Sequence, residues 1–142
     1  MTRDTTEVAV LQVNGLSVDI VGSSAIVRVV DEVRLHLAKG EAVGLVGESG
    51  SGKSVFSRSA MGLHEDDEVV MVTGSSRLLG TEVIGAKTSE LRRRWGSDVS
   101  IVLQDPLASL NPVRRIGLQL TETIRRHQPG TSRRGATSTA ID

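Results

Sequence analysis

The 142-residue sequence has no cysteine and no tyrosine, and its only aromatic side chains are Phe56 and Trp95. Without cysteine, neither a disulfide framework nor a thiolate metal site can form, which is compatible with a reducing compartment. Two rings offer almost no platform for stacked bases, so the composition argues against a single-stranded nucleic acid as partner. A core has to be assembled from Val, Leu, Ile and Ala, without the large burial that rings supply. The opening stretch "MTRDTTEVAVLQV" lacks the apolar centre of a secretory signal. No apolar run approaches the ~20 residues of a membrane-spanning helix. A soluble or membrane-peripheral protein is the expectation.

Net charge is also missing, with 17 basic and 17 acidic side chains, but the balance is uneven along the chain. Residues 1–90 carry 8 basic and 13 acidic groups, whereas residues 91–142 carry 9 arginines and 4 acids. Such asymmetry can mark a tail facing nucleic acid or membrane; solvated arginines on helix faces are the simpler reading.

Several segments have a legible period. "EVAVLQVNGLSVDI" (7–20) reads as strand broken at Asn14-Gly15, and "AIVRVVDEVRLHLAKG" (25–40) alternates at Val33, Leu35 and Leu37. The intervening "GSS" (22–24) suits a turn, so an antiparallel sheet is expected here. Ala42–Val46 reads as a short apolar strand, followed by a helix from Gly52 to about Leu63 with Val55, Phe56, Ser59, Ala60 and Leu63 on one face. Residues 64–80 predict an acidic loop and two short strands around a turn at Gly74, and Ser89 to Trp95 a brief helix with Ser89 near its start. "DVSIVLQDP" (98–106) predicts a buried strand. A helix is expected from Pro112 to His127, capped by Asn111, with a stripe of Val113, Ile116, Leu120 and Ile124 and a Glu122–Arg126 pair. The polar end "QPGTSRRGATSTAID" allows the start of one more helix.

One stretch carries chemistry. Gly47-Glu48-Ser49-Gly50-Ser51-Gly52-Lys53-Ser54 fits the P-loop pattern G-x-x-x-x-G-K-[ST], in the expected place between an apolar strand and a helix. Gly47, Gly50 and Gly52 let the backbone turn sharply and approach a ligand closely. The loop amides, on to Val55 at the helix start, then point inward as a nest for anions. Lys53 is placed to reach β- and γ-phosphates, and the Ser54 hydroxyl to ligate Mg²⁺. The expected ligands are therefore a nucleoside triphosphate and Mg²⁺. No Asn-Lys-x-Asp guanine reader is present, which disfavours a GTPase. A P-loop small-molecule kinase with Asp105 on the metal side stays open. The run His64-Glu65-Asp66-Asp67-Glu68 lacks the spacing of a calcium loop and reads as a solvated loop. His36, His64 and His127 read as surface histidines.

"LQDPLASLNP" (103–112) is similar to the Q-loop of ABC-transporter ATPases, and its Ser109-Leu110-Asn111-Pro112 ending resembles the branch that drives oligopeptide, dipeptide and nickel importers. "LSVDI", "VRVVDEV", "GEAVGLVGESGSGKS", "SELRRRWG", "SIVLQDPLASLNPV" and "HQPGTSRRGA" follow in that family's order, across nearly the whole chain. The resemblance implies an α/β fold: the P-loop NTPase core of an ABC-type nucleotide-binding domain with an N-terminal antiparallel β-subdomain. Its parts would be a β region at 7–40, the P-loop core to the Q-loop at 41–111, and the start of a helical subdomain at 112–142. It implies ATP and Mg²⁺ as cofactors, with Gln104 beside the metal and the attacking water. Lys53 and Gln104 become the catalytic candidates, and Ser54 and Gln104 the metal ligands. It places Ile20 where the family usually has an adenine-stacking aromatic, with Val27 and Arg28 near the base or ribose.

As partners it implies transmembrane permease subunits touched by the Q-loop, a second ATP-binding subunit, and indirectly a substrate-binding protein. The location implied is the cytoplasmic face of the cell membrane. Arginines of the 112–127 helix could face the membrane subunit. Residues 113–142 hold no Leu-Ser-Gly-Gly-Gln-like signature, no apolar strand ending in Asp-Glu and no later switch histidine. The expectation is thus a domain truncated in its helical part, which binds nucleotide weakly and does not hydrolyse it alone. A non-hydrolysing remnant is the third reading.

Overall fold

A computed structural model describes residues 9–63, 69–102 and 110–141. They divide into two compact units, one ending at Arg92 and one beginning at Arg93.

The first unit is built on strands β1 (Ala9–Val21), β2 (Ile26–Ala38), β3 (Val70–Leu78) and β4 (Thr81–Glu82), in the order β2-β1-β3-β4. Every pairing is antiparallel. The hairpin expected around "GSS" is present: Val21 faces Ile26, and the Gly22 amide donates to the Ala25 carbonyl at 2.8 Å. The expected break at Asn14-Gly15 is instead an irregularity inside one continuous strand. Register shifts between Val13 and Leu16, where Gly15 takes positive φ, and again between Leu16 and Val18, where Glu32 across on β2 takes positive φ. The buried Ser17 hydroxyl accepts the Glu32 amide at 2.9 Å, which satisfies a donor on the irregular stretch.

The core forms where one face of this sheet meets helix α1 (Lys53–Ala60). Val13, Leu16 and Val18 from β1 and Val30 from β2 bury against Phe56 and Ala60. Phe56, one of only two rings in the chain, sits in this core at 5% exposure. Ser76 is buried beside it and donates its hydroxyl to the Ala60 carbonyl at 2.6 Å, tying the end of α1 to β3.

Glu82 holds the edge of the sheet. Its carboxylate accepts the Ser75 hydroxyl, the Ser76 amide at 2.8 Å and the Ile84 amide at 3.3 Å, with Arg77 at 3.7 Å. Partial burial pushes the carboxyl up, but the Ser75, Ser76, Ile84 and Arg77 contacts together outweigh it and hold it below its usual value of 4.5. A carboxyl lowered on folding stabilises the fold fully above the unfolded-chain pKa, and that contribution fades as pH falls through the folded value. Glu82→Gln should therefore lower stability at pH 7 by about 1 kcal/mol, allowing for solvent screening. The deficit relative to the parent should shrink progressively below about pH 4.5, which urea titrations at pH 7 and pH 3.5 would reveal.

Four expectations need correction in the first unit. Residues 41–48 join no strand, and Val43, Leu45 and Val46 are exposed. An apolar run shows what a segment can bury, but a strand also needs a neighbouring strand, and none of the described strands pairs with this segment. Gly74 is not a turn: it lies within β3, and the chain reverses at Leu79-Gly80. Helix α2 spans only Thr88–Leu91, starting from Lys87 rather than from a Ser89 cap. The P-loop helix is α1 itself, shorter at both ends than expected.

The second unit contains α3 (Ile116–His127) and α4 (Arg133–Thr139). The last helix anticipated from the polar end exists, with the Ser132 hydroxyl accepting the Gly135 amide at 3.1 Å as its cap. Asn111 does not cap α3. Its Oδ1 accepts the Val113 amide at 3.0 Å, closing a turn before the helix, and Arg115 is the helix's capping residue. Val113 and Ile116 are exposed rather than packed. Glu122 pairs with Arg114 at 2.9 Å instead of Arg126. Of the predicted strand 98–106, the described residues make one isolated bridge, Trp95 to Val99, and Val102 is 94% exposed; residues 103–106 lie outside the described set.

Candidate functional site

The P-loop reaches α1 through two left-handed glycines, Gly50 at φ 81° and Gly52 at φ 83°. Gly52 caps the helix, and no side chain caps its first amides. Those amides are the helix's positive end, left available to a ligand. A Cβ on Gly52 would meet the Val29 carbonyl oxygen at 2.5 Å, so the loop rests directly on β2. Val29 is the residue skipped by the register where Val18 faces Val30 and Asp19 faces Arg28. The irregularity in the hairpin thus lies against the closing glycine of the loop.

Lys53 is the first residue of α1, and its ammonium curls back over the loop. It donates to the Gly47 carbonyl at 2.9 Å, to the Glu48 carbonyl and to Ser51 Oγ at 3.1 Å. The Ser51 amide donates to the Glu48 carbonyl at 3.3 Å, which tightens the turn. Ser54 is exposed on the helix's first turn, with Val55 partly buried behind it against the core. Ser49 and Gly50 form the exposed tip. Left-handed glycines, uncapped helix amides and an adjacent ammonium suit a polyphosphate, and a hydroxyl one residue on suits its metal.

Ile20 lies near the end of β1, facing Val27 of β2 on one side and Val70 of β3 on the other. The three form an aliphatic row across the sheet. Neighbouring residues on a strand point to opposite faces, so Arg28 belongs to the other face. There it forks onto Asp19, with Nε to Oδ1 at 2.8 Å and Nη2 to Oδ2 at 3.1 Å, and reaches Asp31 at 3.1 Å. These bonds hold the Asp19 carboxyl below its usual range and raise the Arg28 guanidinium further. Val27 and Arg28 therefore do not share a ligand-facing surface.

Gln104, Asp105 and Ser109 fall outside the described residues, as does the acidic run 64–68. Among the described residues, no three His, Asp or Glu side chains gather as a metal cage. His36 and His127 are exposed. Two contributors were not anticipated: the Val29 carbonyl beneath Gly52, and the fork from Arg28 to Asp19. The fork could have been found by counting outward from the "GSS" turn, which sets Val21 against Ile26 and hence Asp19 against Arg28. Nothing in the sequence signals the Val29 carbonyl.

Residues 30–133 match the ABC transporter family. The chain is 43% identical over 133 residues to a probable D,D-dipeptide transport ATP-binding protein of Escherichia coli K12, covering 94% of this chain and 40% of that protein. It is 41% identical to the dipeptide transport ATP-binding protein of the same organism, over 86% of this chain and 37% of the relative. An oligopeptide transport ATP-binding protein of Bacillus subtilis is 39% identical over 83% of this chain and 36% of its own length. The chain spans about 40% of the length of the curated relatives it matches.

Proposed function

Because the chain belongs to the ABC transporter family, we propose that it forms the phosphate-cradling part of an ATPase subunit that energises peptide import. The observation that carries this reading is the P-loop itself, seated on β2 through Gly52 and closed by Lys53 at the start of α1. In this reading the amides from Glu48 to Val55 hold the phosphates of ATP, Lys53 neutralises the β- and γ-phosphates, and Ser54 with Gln104 holds Mg²⁺. Mg²⁺, when bound, offsets charge between the phosphates. The sequence between 41 and 111 serves as the nucleotide core, with 7–40 beside it as the β region and 112–142 opening the helical subdomain.

The names of the relatives favour peptides over nickel as cargo. The partners proposed are transmembrane permease subunits and a second ATP-binding subunit, at the cytoplasmic face of the membrane. Dipeptide uptake by cells whose only copy carries Lys53→Ala tests the reading: uptake should fall to background, and uptake at the parental rate would overturn it.

The Ile20–Val27–Val70 row supports a second expectation. An aliphatic row can pack against a purine but offers no π-face. Ile20→Phe should therefore tighten MgATP binding about tenfold, from base–ring stacking of ~1–3 kcal/mol. Equal affinity in parent and variant would mean that the base lies elsewhere.

A further inference from the structure

We propose that the groove between α3 and α4 is a second anion site, separate from the P-loop and suited to a ligand carrying several phosphate charges. The groove has a volume of about 560 Å³ and is lined by Arg114, Arg125, Arg126 and Arg133, with Glu122 its one carboxylate among the described residues and Thr121 beside them. Helical spacing explains the convergence from α3: Arg125 and Arg126 stand four residues after Thr121 and Glu122, and all four line the groove. Arg133 opens α4 and enters from across the groove.

Glu122 engages Arg114, with 2.9 Å between Oε2 and Nη2. Arg125, Arg126 and Arg133 have no ion pair among the described residues. Arginines in the last turn of α3 have an ordinary explanation, since cations stabilise the negative end of a helix. That explanation fails for Arg133. It occupies the first turn of α4, the positive end, where no acidic residue offsets it. Three guanidiniums gathered this way repel one another, and a bound polyanion would relieve the repulsion. Guanidinium forks match phosphate oxygens two at a time, which favours phosphate over a compact halide or a single carboxylate. At about 560 Å³ the groove is larger than one phosphate needs, hence a ligand with more than one. Tripolyphosphate in solution and the two-phosphate headgroup of cardiolipin at a membrane share this chemistry.

The test uses the intact protein as expressed, with Lys53→Ala throughout so that the P-loop's share of phosphate binding is removed. Tripolyphosphate binding is measured by calorimetry at low salt, and pelleting is measured with phosphatidylcholine vesicles with and without cardiolipin. Adding Arg126→Gln and Arg133→Gln should weaken binding at least tenfold. Adding Arg92→Gln and Arg93→Gln, the same change in net charge on exposed residues outside the groove, should change it less than twofold. Glu122→Gln should tighten binding severalfold, a gain that misfolding cannot imitate. Groove-dependent binding of tripolyphosphate assigns a soluble ligand, and groove-dependent binding of anionic vesicles alone assigns a lipid headgroup. Equal losses from the two double variants, or binding of neither probe, would overturn the proposal.

Discussion

Lys53→Ala is expected to weaken MgATP binding about a hundredfold while leaving the fold intact. The ammonium lies over the loop at the start of α1, bonded to Gly47, Glu48 and Ser51. A charge-assisted contact to phosphate contributes ~1.5–3 kcal/mol, and in the proposed reading Lys53 serves two phosphates. Every hydrogen bond it makes in the structure is exposed, so water replaces the lost donor at little cost to stability. Calorimetric titration with MgATP and a parallel urea melt separate the two quantities. A variant that binds like its parent would remove the P-loop from the mechanism. A variant that loses affinity only because it unfolds would show both losses together.

Gly74→Ala is expected to have the largest effect on stability. Gly74 sits in the middle of β3 at φ 94°, and a Cβ there would lie 2.2 Å from the Gly15 carbonyl oxygen, 2.7 Å from its carbon and 2.9 Å from Leu16 Cα. All three are backbone atoms of β1, which is paired on both sides and cannot retreat without dragging the fully buried Leu16 out of the core. The left-handed conformation alone costs a side chain about 1–2 kcal/mol, and the clash adds about 1–3 kcal/mol. Gly80→Ala is the matched control, because Gly80 has φ 77° with nothing within 4 Å of the added methyl. Urea melts should show Gly74→Ala losing at least twice as much as Gly80→Ala. Equal losses would mean that β3 does not cross β1 at Gly15.

These two glycines show how far the sequence could be read. The loop-to-helix junction was legible because glycines mark left-handed turns, and Gly50 and Gly52 lead into a helix that starts at Lys53. The first hairpin was legible because a turn signal lies between two segments whose apolar positions repeat. Gly74 was misread because a glycine in an apolar segment marks either a reversal or a close crossing, and only the partner strand decides which. Ala42–Val46 was misread for the related reason that its hydrophobicity names no partner. Asn111 was misread because an asparagine closes a short turn as readily as it caps a helix. Within the site, Gly52 was placed correctly, yet its support, the Val29 carbonyl, is a backbone atom with no residue signature. Ile20 could be set in its row only once the register to Val27 and Val70 was known.

The position of the Lys53 ammonium has a thermodynamic consequence. Its three oxygen partners all belong to the stretch Gly47–Ser51, so a phosphate that captures Lys53 takes it from that stretch. Binding is then an exchange, and the measured affinity is the difference between two sets of contacts for one cation. Any interaction that holds residues 41–48 without Lys53 would remove the competing set and raise affinity for the phosphate. By reciprocity, bound phosphate would strengthen that interaction by the same factor. If the loop holds phosphate as proposed, Lys53 would also be a coupling element, linking occupancy of the nest to whatever pairs with the exposed segment in front of it.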